Sequence, residues 1–276
     1  MVPQCVNRSP WVITFVIFAV AVRSAALKAL VLKAVNGMGD FPLVDIFHAT
    51  AVAYEYKKTA DEKQGTLQRL VAIVVTALGG TTAMSFLIGQ PCGWLCDNFT
   101  LPAYIGAWFL LHHVPNDLIF NALDSSRTTR FLVGFFDDVS WGVAITKWGM
   151  YKALSAMHEA PRPSGVAALL CGTIAGCGGG IVQQMCSLLR AEWKLVTPDS
   201  LQGPSLSLSR GFGPKASALM AFLAYGLLDP HGNVKAVVGT WEALPKEDVI
   251  FVAVVGMVCA ASVRSLVAQL VDQYAR

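Results

Sequence analysis

RLVAIVVTALGGTTAMSFLIG, residues 69 to 89, carries one charged side chain, Arg69 at its start, and a glycine pair, Gly79-Gly80, at its middle. A helix rising about 1.5 Å per residue crosses about 30 Å of hydrocarbon in roughly 20 residues, so a stretch of this length and composition reads as a membrane span. The paired glycines leave backbone carbonyls loosely held and remove side chains that would fill a lumen. Such an interruption is tolerated where the freed groups line water or protein rather than lipid. The competing reading is close helix packing through small residues.

Working outward, six further apolar segments flank this one, giving approximately 41–57, 69–89, 101–122, 131–153, 165–188, 213–228 and 248–270, each bounded by Pro, Gly or charge. Across 276 residues the chain is 54% hydrophobic and 14% charged. Ordinary soluble domains run near 45–50% apolar and about 25% charged. The fold predicted is therefore an all-α integral membrane protein with seven spanning helices. A net charge of +3 is spread through short connectors with no basic run, which argues against nucleic acid as a partner. Seven cysteines fall mostly inside apolar blocks, and Cys92 and Cys96, the only close pair, have no His or Cys at zinc spacing beside them, so no metal is expected.

Residues 1–40 form an N-terminal extension. Its apolar run 11–22 behind Arg8 fits a secretory signal and an uncleaved extra helix equally. Lysine and arginine in the connectors set orientation. Nine of them (Lys57, Lys58, Lys63, Arg69, Arg127, Arg130, Arg190, Lys194 and Arg210) follow spans one, three and five, against Lys152, Arg162, Lys235 and Lys246 on the other side. This places the start of the first span in the lumen and the C-terminus in the cytosol. Asn98-Phe99-Thr100 is a glycosylation sequon on that lumenal side, close to a membrane helix.

The chain also reads as duplicated. Leu78-Gly79-Gly80-Thr81 in the second span is echoed by Cys177-Gly178-Gly179-Gly180 in the fifth, and each is followed by a polar connector and a proline-opened helix, Pro102-Ala103-Tyr104 or Pro214-Lys215-Ala216. Repeat one is 41–122, repeat two is 131–228, and the seventh helix, 248–270, stands alone. Each repeat has an odd number of crossings, so the second lies upside down relative to the first, with sites expected near the midplane between them. Matching glycines favour broken second and fifth helices, with Gly79, Gly80, Gly178, Gly179 and Gly180 as pore or hinge residues. Asp45, Asp117 and Lys215 are ionisable groups in or at the ends of spans, where a central charge costs several kcal/mol without a partner or water. Pro115 is expected to kink the third helix beside Asp117. Lys147 is the most interior charge of the fourth span and the first candidate for a field-sensing or gating residue. His48, His112 and His113 raise an acid-base or metal alternative. No HExxH or GxSxG pattern accompanies them, and the chain reads as neither an enzyme nor a cofactor protein.

FPLVDIFHA at 41–49, LGGTTAMSFLIGQP at 78–91, VPNDL at 114–118, GGGIVQQMCSLLRAEWKL at 178–195 and GFGPKAS at 211–217, taken in this order, resemble the trimeric intracellular cation channel family. The resemblance covers nearly all of the chain from residue 41. It implies seven spans, inverted three-helix repeats, glycine-broken second and fifth helices and a homotrimer with one cation pore per subunit. Potassium is the ion it implies, with sodium a second, conducted across the endoplasmic reticulum or another intracellular membrane to balance charge during calcium release. Positions it carries over are Asp45, Gly79, Gly80, Pro115, Asp117, Gly178, Gly179, Trp193, Lys194 and Lys215.

The chain departs from that pattern where the family carries Lys-Glu-Val in the fourth helix: here the register gives Asp137-Asp138-Val139. Ala175 also stands where animal members carry a basic residue. Voltage gating and phosphoinositide binding of the animal kind, which the resemblance ties to those basic residues, are thereby in question, although membrane lipid remains a partner. A secondary transporter uses the same inverted repeats and is the alternative function.

Overall fold

Where it is described, each of the seven apolar segments is helical. The structure is a computed structural model that describes residues 18–36, 43–157, 164–202 and 212–274, side chains beyond 264 excepted. After a helical stretch 18–23, the chain forms α1 (Ala25–Asn36), α2 (Leu43–Thr59), α3 (Thr66–Leu87), α4 (Thr100–His113) and α5 (Leu118–Asp124). The next helix runs through α6 (Arg127–Val143), a π-helical segment Ala144–Tyr151 and α7 (Lys152–Ala156). Beyond it lie α8 (Gly165–Met185), α9 (Phe212–Leu228), α10 (Asn233–Val238) and α11 (Lys246–Tyr274). No strand occurs among the described residues. Residues 1–17 of the N-terminal extension lie outside them, while Phe18, Ala21, Val22, Val31 and Val35 pack into the body of the protein.

Local chemistry sets the helix ends. Ser126 and Ser164 accept from the backbone N–H of Thr129 and Ala167 at 3.0 and 3.2 Å, capping α6 and α8. Residues 101–122 do not form one kinked helix as expected. α4 stops at His113, because Val114 is pushed to extended backbone (ψ 131°) ahead of Pro115, and Asn116 and Asp117 then adopt positive φ of 56° and 52°. A break replaces the kink.

The helices gather into two packing groups. One unites α2, α3 and α4 around Ala53, Tyr54, Ile73, Tyr104 and Leu111. The other unites α1, the α6–α7 helix, α8, α9 and α11 around Val143, Met150, Ala224, Phe251 and Val254. They meet where α3 crosses α8. A Cβ on Gly80 would stand 2.6 Å from the Ile174 carbonyl oxygen and 2.9 Å from that of Ala175, one on Gly178 would stand 2.8 Å from the Gly80 Cα, and one on Gly179 would collide with the Thr76 carbonyl. Both helices run unbroken through these positions. The expected glycine breaks are thus corrected: the glycines serve close backbone approach, the small-residue effect through which helices pack in lipid without a hydrophobic drive between them.

Large apolar side chains face outward on several helices, including Leu67, Phe86, Phe109, Val166, Leu170 and Phe222. A bilayer is the solvent such a belt fits. By length and apolarity alone, Thr66–Leu87 and Gly165–Met185 qualify as spans, and Phe212–Leu228 is apolar but shorter. The remaining long helices carry inward charges, notably Asp45, Asp137 and Lys147, which lower their hydropathy.

Candidate functional site

A cavity of about 570 Å³ lies between the two packing groups. α2 contributes Asp45 and His48, α3 contributes Thr76, Thr81 and Ser85, and α4 contributes Tyr104. Opposite them stand Asp137, Trp141 and Lys147 from the fourth helix, with Gly176, Gly179 and Gly180 of α8 as a floor without side chains. Amphipathic periodicity explains the convergence. Asp45 and His48 are three apart on one helix face, and Asp137, Ser140, Trp141, Ala144 and Lys147 recur every three or four residues along one face of the fourth helix.

The connector 88–99 covers one end of the cavity. Trp94 Nε1 donates to Thr82 Oγ1 at 2.9 Å, and Lys152 Nζ donates to the Pro91 carbonyl at 2.7 Å and to Ser85 Oγ at 3.2 Å. Asp97 accepts from the backbone N–H groups of Phe99 and Thr100 at 2.8 and 2.6 Å and from the Thr100 hydroxyl at 2.8 Å, fixing the start of α4. Burial raises the Asp97 pKa, but these hydrogen bonds outweigh it and hold the carboxyl below its ordinary value, so Asp97 is ionised at neutral pH. Three carboxylates, Asp45, Asp97 and Asp137, therefore line the cavity with the ammonium groups of Lys147 and Lys152. Lys147 Nζ donates to the Val35 carbonyl at 3.2 Å, anchoring it near the C-terminal end of α1. His48 lies between Tyr104, whose hydroxyl is 2.6 Å from Nδ1, and Asp137, 3.6 Å from Nε2. Asp137 keeps 48% of its side-chain surface accessible, so water in the cavity reaches it.

Of the residues singled out in the sequence, Asp45, Lys147, Gly179 and Gly180 line this cavity. Gly79, Gly80 and Gly178 lie at the helix crossing instead. Asp117 does not line the cavity: it pairs with Lys57, which also donates to the Leu111 carbonyl at 2.6 Å. Lys215 sits in the first turn of α9, away from the cavity wall. Nor do His112 and His113 reach it, the first lying 3.3 Å from the Ala53 carbonyl and the second stacking on Phe109. Among the described residues no group of three or more His, Cys, Asp or Glu is placed to hold a metal ion. Sequence reading missed Asp97 and Tyr104. The one signal for the Asp45–His48 face was their spacing.

A second polar cavity of about 360 Å³ lies toward the C-terminal end of α8, lined by Gln184, Asp199, Phe212 and Arg264 among others. It shares Trp141, Gly176 and Gly180 with the first. A larger apolar cavity of about 780 Å³ is bounded by Phe18, Met220, Phe222, Trp241 and Gly256.

This arrangement is that of a helical membrane protein with a polar cavity between two helix groups. The solved structures it is similar to are trimeric intracellular cation channels. A channel of this kind from C. elegans with bound Ca2+ superposes with a TM-score of 0.61 at 16% identity, covering 88% of this chain and 96% of that one. A trimeric intracellular cation channel from C. elegans in the absence of Ca2+ gives 0.58 at 17% identity, over 87% and 94%. A structure described in terms of TRIC counter-ion channels in calcium release gives 0.61 at 17% identity, over 88% and 100%. No protein-family model and no curated protein matches the sequence. At these identities the likeness establishes the fold, which this chain shares with those channels over most of its length.

Proposed function

We propose that the chain is a cation channel of the trimeric intracellular cation channel family, conducting potassium and other monovalent ions across an intracellular membrane as counter-ions to calcium release. The observation that carries this reading is the carboxylate-lined cavity between the two helix groups, in a chain with the fold of such channels. Asp45 attracts cations there, and Lys147, on the opposite wall, opposes them until it moves. Nothing in the lining resembles a carbonyl filter, so discrimination among monovalent cations is weak.

The channel has seven spans, as two inverted three-helix repeats and a seventh helix, and assembles as a homotrimer with a path in each subunit. Support for the repeats comes from the α3–α8 crossing. Aligning Gly79-Gly80 with Gly178-Gly179 pairs Thr76 with Ala175. The contacts are reciprocal under that pairing: Gly80 meets the Ala175 carbonyl, and Gly179 meets the Thr76 carbonyl. A two-fold relation between the halves produces this pattern. The C-terminus faces the cytosol. Asp137 occupies the cavity wall where the resemblance places a lysine, which argues against phosphoinositide capture at that position.

Purified full-length protein in planar bilayers tests the reading. Discrete cation-selective current steps are expected, with conductance lowered about twofold in Asp45→Asn and raised about twofold in Lys147→Gln, the scale of removing one charge from a water-filled path. Absence of steps alongside saturable solute uptake would establish a transporter instead.

A further inference from the structure

The two polar cavities reach opposite ends of α8. The first is covered by the connector 88–99, which Lys152 ties to the start of α7, the last helical segment before α8. The second includes Gln184, in the last turn of α8, and Asp199, in the connector that follows it. Both are lined by Trp141, Gly176 and Gly180.

Of these three, only Trp141 has a side chain to place between the cavities. Its indole Nε1 donates to Ser217 Oγ at 2.9 Å, and its ring meets Phe212 edge to face at 6.0 Å between centroids. At Gly176 an added Cβ would stand 2.6 Å from Ile145 Cγ1, 2.7 Å from Ser217 Oγ and 3.0 Å from Trp141 Nε1, so the glycine leaves the space in which Ile145, Ser217 and the indole meet. Ser217 is fully buried in α9, so the hydrogen bond anchors the ring to a rigid partner across the path.

We infer that Trp141 is the barrier that separates the two cavities, and that release of its indole from Ser217 joins them into one continuous ion path. This rests on the proposed channel function and deepens it by naming the residue that occludes conduction. The device uses few parts. An aromatic plate closes a path floored by glycines, and one neutral hydrogen bond sets how firmly it is held.

Single-channel recording of the full chain tests this with three variants, each first checked for the oligomer size of the parent. Trp141→Ala removes the plate and is expected to raise open probability or unitary conductance. Ser217→Ala keeps the plate but removes its anchor, and is expected to shift the open-to-closed ratio about fivefold toward open, the worth of one net hydrogen bond. Trp141→Cys, made together with Cys96→Ser and Cys177→Ser, places a thiol on the shared wall, so a cationic, membrane-impermeant thiol reagent should alter its current from either chamber, whereas the current of the Cys96→Ser, Cys177→Ser background is unaffected. Access from one chamber or neither overturns the inference, as does parental gating in both alanine variants. A parent that never conducts refutes the channel reading and this inference together, while a conducting parent whose variants behave identically refutes this inference alone.

Discussion

His48 is bound on both sides. With the Tyr104 hydroxyl donating to Nδ1, the imidazole is neutral and directs its Nε2–H toward Asp137; a second proton makes Nδ1 a donor and Tyr104 an acceptor. Other charges near this pair are Asp45 one turn away on α2, Glu55 and Asp138 in reach of Asp137, and Asp97 and Lys147 farther along the wall. Protonation at His48 removes one unit of negative charge from a path that Asp45, Asp97 and Asp137 make acidic. Cation conductance is therefore expected to fall by about threefold between a neutral bath and one acidic enough to protonate His48. In His48→Gln the ratio of the two conductances should approach one. A pH response unchanged in His48→Gln would contradict this account. Asp45 was legible in the sequence as a charge in an apolar block, and Asp137 as a departure from a familiar pattern. Their relation through His48 was not, because Tyr104 and Asp137 lie far from it along the chain and no local period records a tertiary contact.

At the scale of elements, the α3–α8 crossing separates two uses of glycine that look alike in sequence. Gly179 stands against the Thr76 carbonyl, a backbone group that cannot step aside, whereas a Cβ at its neighbour Gly180 meets nothing within 4 Å. Gly179→Ala is expected to destabilise the protein by about 1–3 kcal/mol, as overpacking does, and Gly180→Ala by no more than about 0.5 kcal/mol. Thermal unfolding in detergent measures both, and equal effects would refute the crossing geometry. Apolar blocks and their punctuation gave the helices, since length and hydropathy are written locally. The run GGG did not say which glycine bears the contact, because that depends on the facing helix. Nor did anything in AITKWGMY, residues 144–151, announce π-helical winding, along which Gly149 packs closely against Gly172.

Over the whole molecule, sidedness ties the cavity to its compartments. On the proposed seven crossings, the connector 88–99 and the C-terminus fall on opposite faces, and the count of basic residues argues for the connector in the lumen. The sequon at Asn98 is a poor reporter of this. Its Thr100 is buried, and the Thr100 hydroxyl is bound to Asp97 at 2.8 Å, so Asn98 is expected to stay unglycosylated even on the lumenal side. Cys96 is the better probe, because it is exposed in the same connector while Cys171 and Cys177 are buried. In sealed microsomes with the cytosolic face outward, an impermeant maleimide should leave Cys96 unmodified until the membrane is opened, whereas a tag at the C-terminus should be digested by external protease without opening. Labelling of Cys96 in intact vesicles, with the tag protected, would invert the assignment, so that the Asp97 end of the path faces the cytosol. Labelling of Cys96 together with digestion of the tag would place both on one face, and an odd number of crossings between them could not then hold.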